Sequence, residues 1–126
     1  MGIKATKLEL SFNEIRALSL WLMGIMEHSR ELGGQSVHYR IQLIILGDLL
    51  RKKVYPKTLL DKGGTQSIKM QPIEWMALQA AVYSGWNYCY DNYVQNVIRN
   101  ISMNNLPQLT RLEPAFLSAP DVWEEE

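Results

Sequence analysis

Cysteine is nearly missing from this sequence: the single Cys89 excludes an intrachain disulfide and any thiolate zinc cluster built by one chain. Histidine is almost as scarce, with only His28 and His38 to offer imidazole to a transition metal. A charge of one sign is also lacking. Lysine plus arginine equal aspartate plus glutamate at 13 each, which disfavours a uniformly basic nucleic-acid binder. No apolar run approaches the ~18 residues of a membrane span. The longest, LIILGDLL, is interrupted by Asp48. The opening MGIKATKLEL has no apolar leader core, so a cytoplasmic location without membrane partners is expected. Met1-Gly2 with Thr6 matches the short myristoylation pattern, which is too common to weigh against that. Glycine-rich phosphate loops, HExxH, GxSxG, CxxC and EF-hand patterns are absent. No cofactor is therefore expected, and an enzyme is the less favoured class.

What is present is enough to build a core. At 126 residues and 47% hydrophobic, the chain is expected to form a single domain over residues 1–126 rather than a disordered one. Its charge is unevenly spread. Residues 1–63 carry ten basic and six acidic side chains, and residues 64–126 carry three and seven. Most of the basic excess lies in RKKVYPKTLLDK and most of the acidic excess in DVWEEE.

Two stretches 60 residues apart, KLELSFNEIRAL from Lys7 and SIKMQPIEWMAL from Ser67, share one grammar. Leu8 and Leu10, and then Ile68 and Met70, alternate with polar residues as in half-buried strands. Helix starts follow. Ser11 and Glu14 form a capping box, while Pro72 and Glu74 occupy favourable first and third helical positions. The first helix is predicted over residues 12–32, with Ile15, Leu18, Leu22 and Ile25 as its core stripe and Gly33-Gly34 as its stop. A second, over residues 36–53, is apolar on nearly every side and is expected to be the most buried. Pro56 and Gly63-Gly64 mark a connector. A third helix over 72–87 is expected to turn Met76, Ala80 and Tyr83 inward. Asp91 caps a fourth, to about residue 103, with the stripe Val94, Val97, Ile98 and Ile101.

The architecture expected is mainly α with a small β component: duplicated strand–helix–helix units over 6–62 and 65–105, four helices and a two-stranded antiparallel sheet. Neither half can bury its apolar face alone. Residues 106–126 form an irregular C-terminal arm, because Pro107, Pro114 and Pro120 exclude a continuous helix.

Several groups could carry function. The arm is rich in anchors, among them Leu109, Leu112, Phe116, Leu117 and Trp123, and is expected to lie on its own domain or on a partner chain. Arg51, Lys52, Lys53 and Lys57 form a basic cluster that either complements a helix carboxyl end or offers a patch to an anionic partner. Trp86, Tyr88, Tyr90 and Tyr93 are the densest aromatic run, read as core at a helix junction or as a ligand site. Cys89 reads as volume-filling rather than nucleophilic, since no histidine is near it in sequence. His28 and His38 flank one turn and with Glu27 or Glu31 would make a minimal metal site, but solvated imidazoles explain them as well. Glu14 and Glu74 are accounted for by capping.

These features favour a non-enzymatic helical interaction or assembly module whose partner is another copy or another protein. The alternatives are a nucleic-acid-associated regulator using the basic cluster, or a small-molecule-binding domain with an aromatic pocket.

Overall fold

The computed structural model describes residues 6–104. Strand β1 (Thr6–Ser11) leads directly into helix α1 (Phe12–Glu27), followed by a single turn α2 (Ser29–Gly33) and helix α3 (Val37–Leu49). The chain then passes through a π turn at Leu50–Val54 and a 3-10 turn at Tyr55–Thr58. Strand β2 (Thr65–Met70), α4 (Pro72–Tyr83) and α5 (Asn92–Asn104) complete the described residues. The expected α+β class is thus observed, with helices covering one face of a two-stranded antiparallel sheet.

Alternation sets the sheet. Leu8, Leu10, Ile68 and Met70 are all buried, and Leu8 lies directly opposite Ile68. On the outer face Lys7 stands opposite Lys69, a like-charge pair, with Glu9 two residues along. Ser11 ends β1 and caps α1. Its hydroxyl accepts the Glu14 N–H at 3.2 Å, and the Glu14 carboxylate accepts the Ser11 N–H at 2.9 Å. At the second start, only the Glu74 half of this exchange is made by a side chain: its carboxylate accepts the Gln71 N–H at 2.7 Å.

The core is one cluster fed by every long element. Ile15, Leu18, Leu22 and Ile25 are fully buried, so α1, not α3, is the central helix. The expectation for α3 is corrected here. Its Leu43, Leu46 and Leu49 face the core, but Val37, Ile41 and Ile44 are 49%, 44% and 65% exposed. A helix that is apolar all round needs neighbours all round. Here its main helical contacts are with α4 on one flank and α2 at its start.

Helix boundaries also differ from expectation, each for a local reason. The predicted 12–32 helix breaks at His28, giving five α-helices among the described residues where four were expected. The His28 Nδ1–H donates to the Gly24 carbonyl at 3.0 Å, the acceptor that its own backbone N–H would normally use, and that N–H bonds Ile25 instead. Helix α4 ends at Tyr83 rather than near 87. Gly85 sits at φ +72, with its N–H on the Val82 carbonyl and the Trp86 N–H on the Ala81 carbonyl. That is a Schellman stop, and glycine is the residue that takes its left-handed position without strain. The inward face of α4 is corrected too: Trp75, Ala77, Leu78 and Ala81 are buried, whereas Tyr83 is 78% exposed. Met76 and Ala80 are only half-buried. Helix α5 follows expectation, with Val94, Val97, Ile98 and Ile101 buried and Asp91 Oδ1 accepting the Tyr93 and Val94 N–H groups at 2.8 and 3.2 Å.

The halves are interlocked. Helix α1 has its main helical partner in α5, and α4 has its in α3, so each half's first helix packs on the other half's second. Lys53, leaving the π turn, ties the two together by donating to Glu74 Oε1 at 2.6 Å and to the Lys69 carbonyl at 2.8 Å. No helix among the described residues is long and apolar enough to cross a membrane.

Candidate functional site

Two surfaces stand out: a groove between α4 and α5, and the uncovered face of α3. The groove exists because the stop at Gly85 turns the chain sharply across the end of α4. That turn leaves a cavity of about 490 Å³ between α4, the 85–87 turn and α5, with Trp21 of α1 at its floor. Trp86, Val82 and Ile98 give it apolar walls, and Tyr83 and Met103 form its exposed rim. Ser102 Oγ donates to Gln79 Oε1 at 2.7 Å across the base, fixing α5 on α4. Arg99 also lines the groove and makes no ion pair among the described residues.

Of the four aromatics singled out in sequence, only Trp86 reaches this groove. It is buried, and its indole meets the Tyr39 ring edge-on at 5.0 Å and 81°. Tyr88 points elsewhere, stacked on His28 with centroids 3.9 Å apart and an 11° interplanar angle. Tyr90 and Tyr93 are 79% and 49% exposed and belong to the loop and first turn before and within α5. The dense aromatic run is therefore dispersed over three environments. Sequence reasoning missed Trp21, Val82, Ile98 and Met103 as groove residues. The signal available was Gly85, whose position ends α4 early and so opens the space.

The basic cluster is largely engaged. Arg51 donates to Asp48 Oδ1, and Lys52 stands 3.9 Å from Asp48 Oδ2. Lys53 is committed to Glu74, with side chains only 29% and 11% exposed. Lys57 is half-buried and makes no ion pair among the described residues. Arg51, Lys52 and Lys53 all lie in the π turn that prolongs α3, where cations meet the helix's negative end.

His28 and Tyr88 stack, so His28 serves the helix break. Among the described residues no group of three or more metal-ligating side chains gathers. Cys89 is a free, half-buried thiol, and its carbonyl accepts from Gln95 Nε2 at 3.4 Å. The arm anchors Leu109, Leu112, Phe116, Leu117 and Trp123 lie outside the described residues.

The α3 face has its own geometry. At 100° per residue, Val37, Arg40, Ile41, Ile44, Asp48 and Arg51 fall within about 60° of Ile44. All are exposed except Asp48, which is half-buried. Sequence reading took these isoleucines for core, because periodicity alone does not say which side of an all-apolar helix finds a neighbour.

Comparison with protein-family models, with curated proteins and with solved structures finds no match.

Proposed function

We propose that this protein is a non-enzymatic helical interaction module that self-associates through the uncovered face of α3. The observation that carries the proposal is the exposed stripe of Val37, Ile41 and Ile44 on a helix whose other face is core. Three aliphatic side chains at spacings of four and three make a ridge that water covers poorly and a helix covers well.

Charge favours a second copy as the occupant. If two α3 helices cross antiparallel about Ile44, residues equidistant from it face each other, so Arg40 of one copy meets Asp48 of the other, twice. Two-fold interfaces demand this self-complementarity. Val37 then meets the aliphatic stem of Arg51, whose head already lies on Asp48. One helix per copy makes a small interface, and the association is correspondingly weak and concentration-dependent. The same reading takes residues 6–62 and 65–105 as duplicated units. The exchange of helical partners between halves supports it, and so does the register that sets Leu8 opposite Ile68.

Sedimentation velocity over a dilution series tests the assignment. The native chain should shift from dimer to monomer on dilution, and Ile44→Glu should be monomeric throughout, with an unchanged circular dichroism spectrum because Ile44 is 65% exposed. Charge reversal of Arg40→Asp alone should weaken association, and Arg40→Asp with Asp48→Arg should restore it. A dimer indifferent to Ile44→Glu, or a native chain monomeric at every concentration, would sink the proposal.

A further inference from the structure

We propose that the groove between α4 and α5 is the seat of this chain's own segment around Leu106, Leu109 and Leu112, docked within the same molecule. The proposal does not rest on the α3 interface, which lies on a different helix.

Position argues first. The groove's outer wall is the last two turns of α5, from Gln95 to Met103, and Asn104 is the next residue along the chain. A tether this short gives a high effective concentration, of order millimolar, which outcompetes capture by another copy. To enter, the chain must reverse at the end of α5. The residues there are Asn104-Asn105 followed by Leu106-Pro107. Asparagine is the commonest non-glycine residue in the left-handed conformation that ends helices, and proline is common just beyond.

Spacing argues next. The α5 wall of the groove, nine residues from Gln95 to Met103, is about 12 Å long. Leucines at 106, 109 and 112 recur every third residue, and an extended three-residue-per-turn chain puts them along one edge, about 19 Å end to end. Two such leucines fill the apolar space over Trp86, Val82 and Ile98, and the third reaches the mouth. The polar fittings agree. Arg99 is free of ion pairs among the described residues, and Glu113 follows the last of the three leucines. Asn87, which also lines the groove, leaves its Oδ1 buried with no hydrogen-bond partner.

The test uses the full chain with Tyr83, the exposed rim residue, replaced by the photoreactive p-benzoylphenylalanine. Tyr83 is 78% exposed, so the substitution leaves the core intact. Equal parts of ordinary and nitrogen-15-labelled protein are mixed, irradiated, digested and mapped by mass spectrometry. The expected result is a crosslink to the peptide spanning 105–117, of one isotope composition only. Leu106→Ser, Leu109→Ser and Leu112→Ser together should reduce it by at least about tenfold, the factor that removing even one well-buried leucine represents. Crosslinks of mixed isotope composition, crosslinks to other peptides or none at all, or a yield unmoved by the triple variant would each overturn the proposal.

Discussion

Lys53 and Glu74 offer a quantitative test of how the two halves are joined. The pair lies between the surface and interior regimes, with side chains 29% and 11% exposed and 2.6 Å between the charged atoms. Exposed pairs contribute about 0.2–1 kcal/mol, whereas breaking a buried one costs about 3–5 kcal/mol. A coupling of about 2 kcal/mol is expected from this intermediate burial. Lys53→Met keeps the aliphatic stem but leaves the Glu74 carboxylate with the Gln71 N–H as its remaining described partner, and should cost about 2.5 kcal/mol. Glu74→Gln retains an oxygen for that N–H, loses the charge, and should cost about 1.5 kcal/mol. The double variant should then lose only about 2 kcal/mol rather than the total of both. Urea denaturation followed by circular dichroism gives all four corners of the cycle. Repeating it in about 0.5 M salt asks whether the pair is screened, and a partly buried contact should keep most of its coupling. A coupling under about 0.5 kcal/mol, or one that disappears in salt, would refute the claim that this contact is a desolvated link between halves.

Other outcomes follow from single features. Gly85→Ala should cost about 1 kcal/mol by urea denaturation even though a Cβ there meets nothing within 4 Å, because the penalty is conformational; Gly85→Asn should recover part of it. Leu22→Ala, at a fully buried position, should lower stability by about 3–4 kcal/mol in the same assay through the cavity it leaves. Asp91→Ala should cost about 1 kcal/mol by freeing two N–H groups of α5, and amide exchange in the first turn of that helix should rise selectively. Lys69→Thr should stabilise the sheet by about 0.5 kcal/mol, since it removes the like charge opposite Lys7 and adds a β-branched side chain, read as a higher urea midpoint.

Strands, caps and the stripes of α1 and α5 were legible because each rests on neighbouring residues. Leu8 and Leu10 alternate, Ser11 and Glu14 cap reciprocally, and the α5 stripe is bordered by polar residues that leave no choice of face. The misreadings occur where several faces are equally apolar. In α4, Tyr83 was read as inward, whereas Trp75 is the buried ring and its indole N–H donates to Thr6 Oγ1 at 2.7 Å, a partner 69 residues away that no local pattern announces. In α3, nothing in IQLIILGDLL says that Ile44 is left 65% exposed. The break at His28 escaped for another reason: it depends on an imidazole replacing a backbone donor and on Tyr88, sixty residues later, stacking against the ring. The groove was half visible. Trp86 was singled out, but its companions Trp21 and Ile98 come from distant helices, and such convergence is a property of the fold rather than of any local stretch.

The antiparallel pairing of β1 with β2 also bears on how the chain is born. The two strands are separated by residues 12–64, and at ordinary ribosomal speeds that interval takes several seconds to synthesise, of order 3–10 s. Through that delay β1 has no partner, and α1 lacks α5, its main helical neighbour, until later still. The amino-terminal half thus waits on the ribosome with an open strand edge and an uncovered apolar helix. Lys7 and Glu9, exposed on the strand's outer face, place charge along that open strand in the meantime, a pattern that disfavours edge-to-edge pairing. Closing the sheet is a late, long-range step, so this small helical protein should fold more slowly than its helix content alone implies.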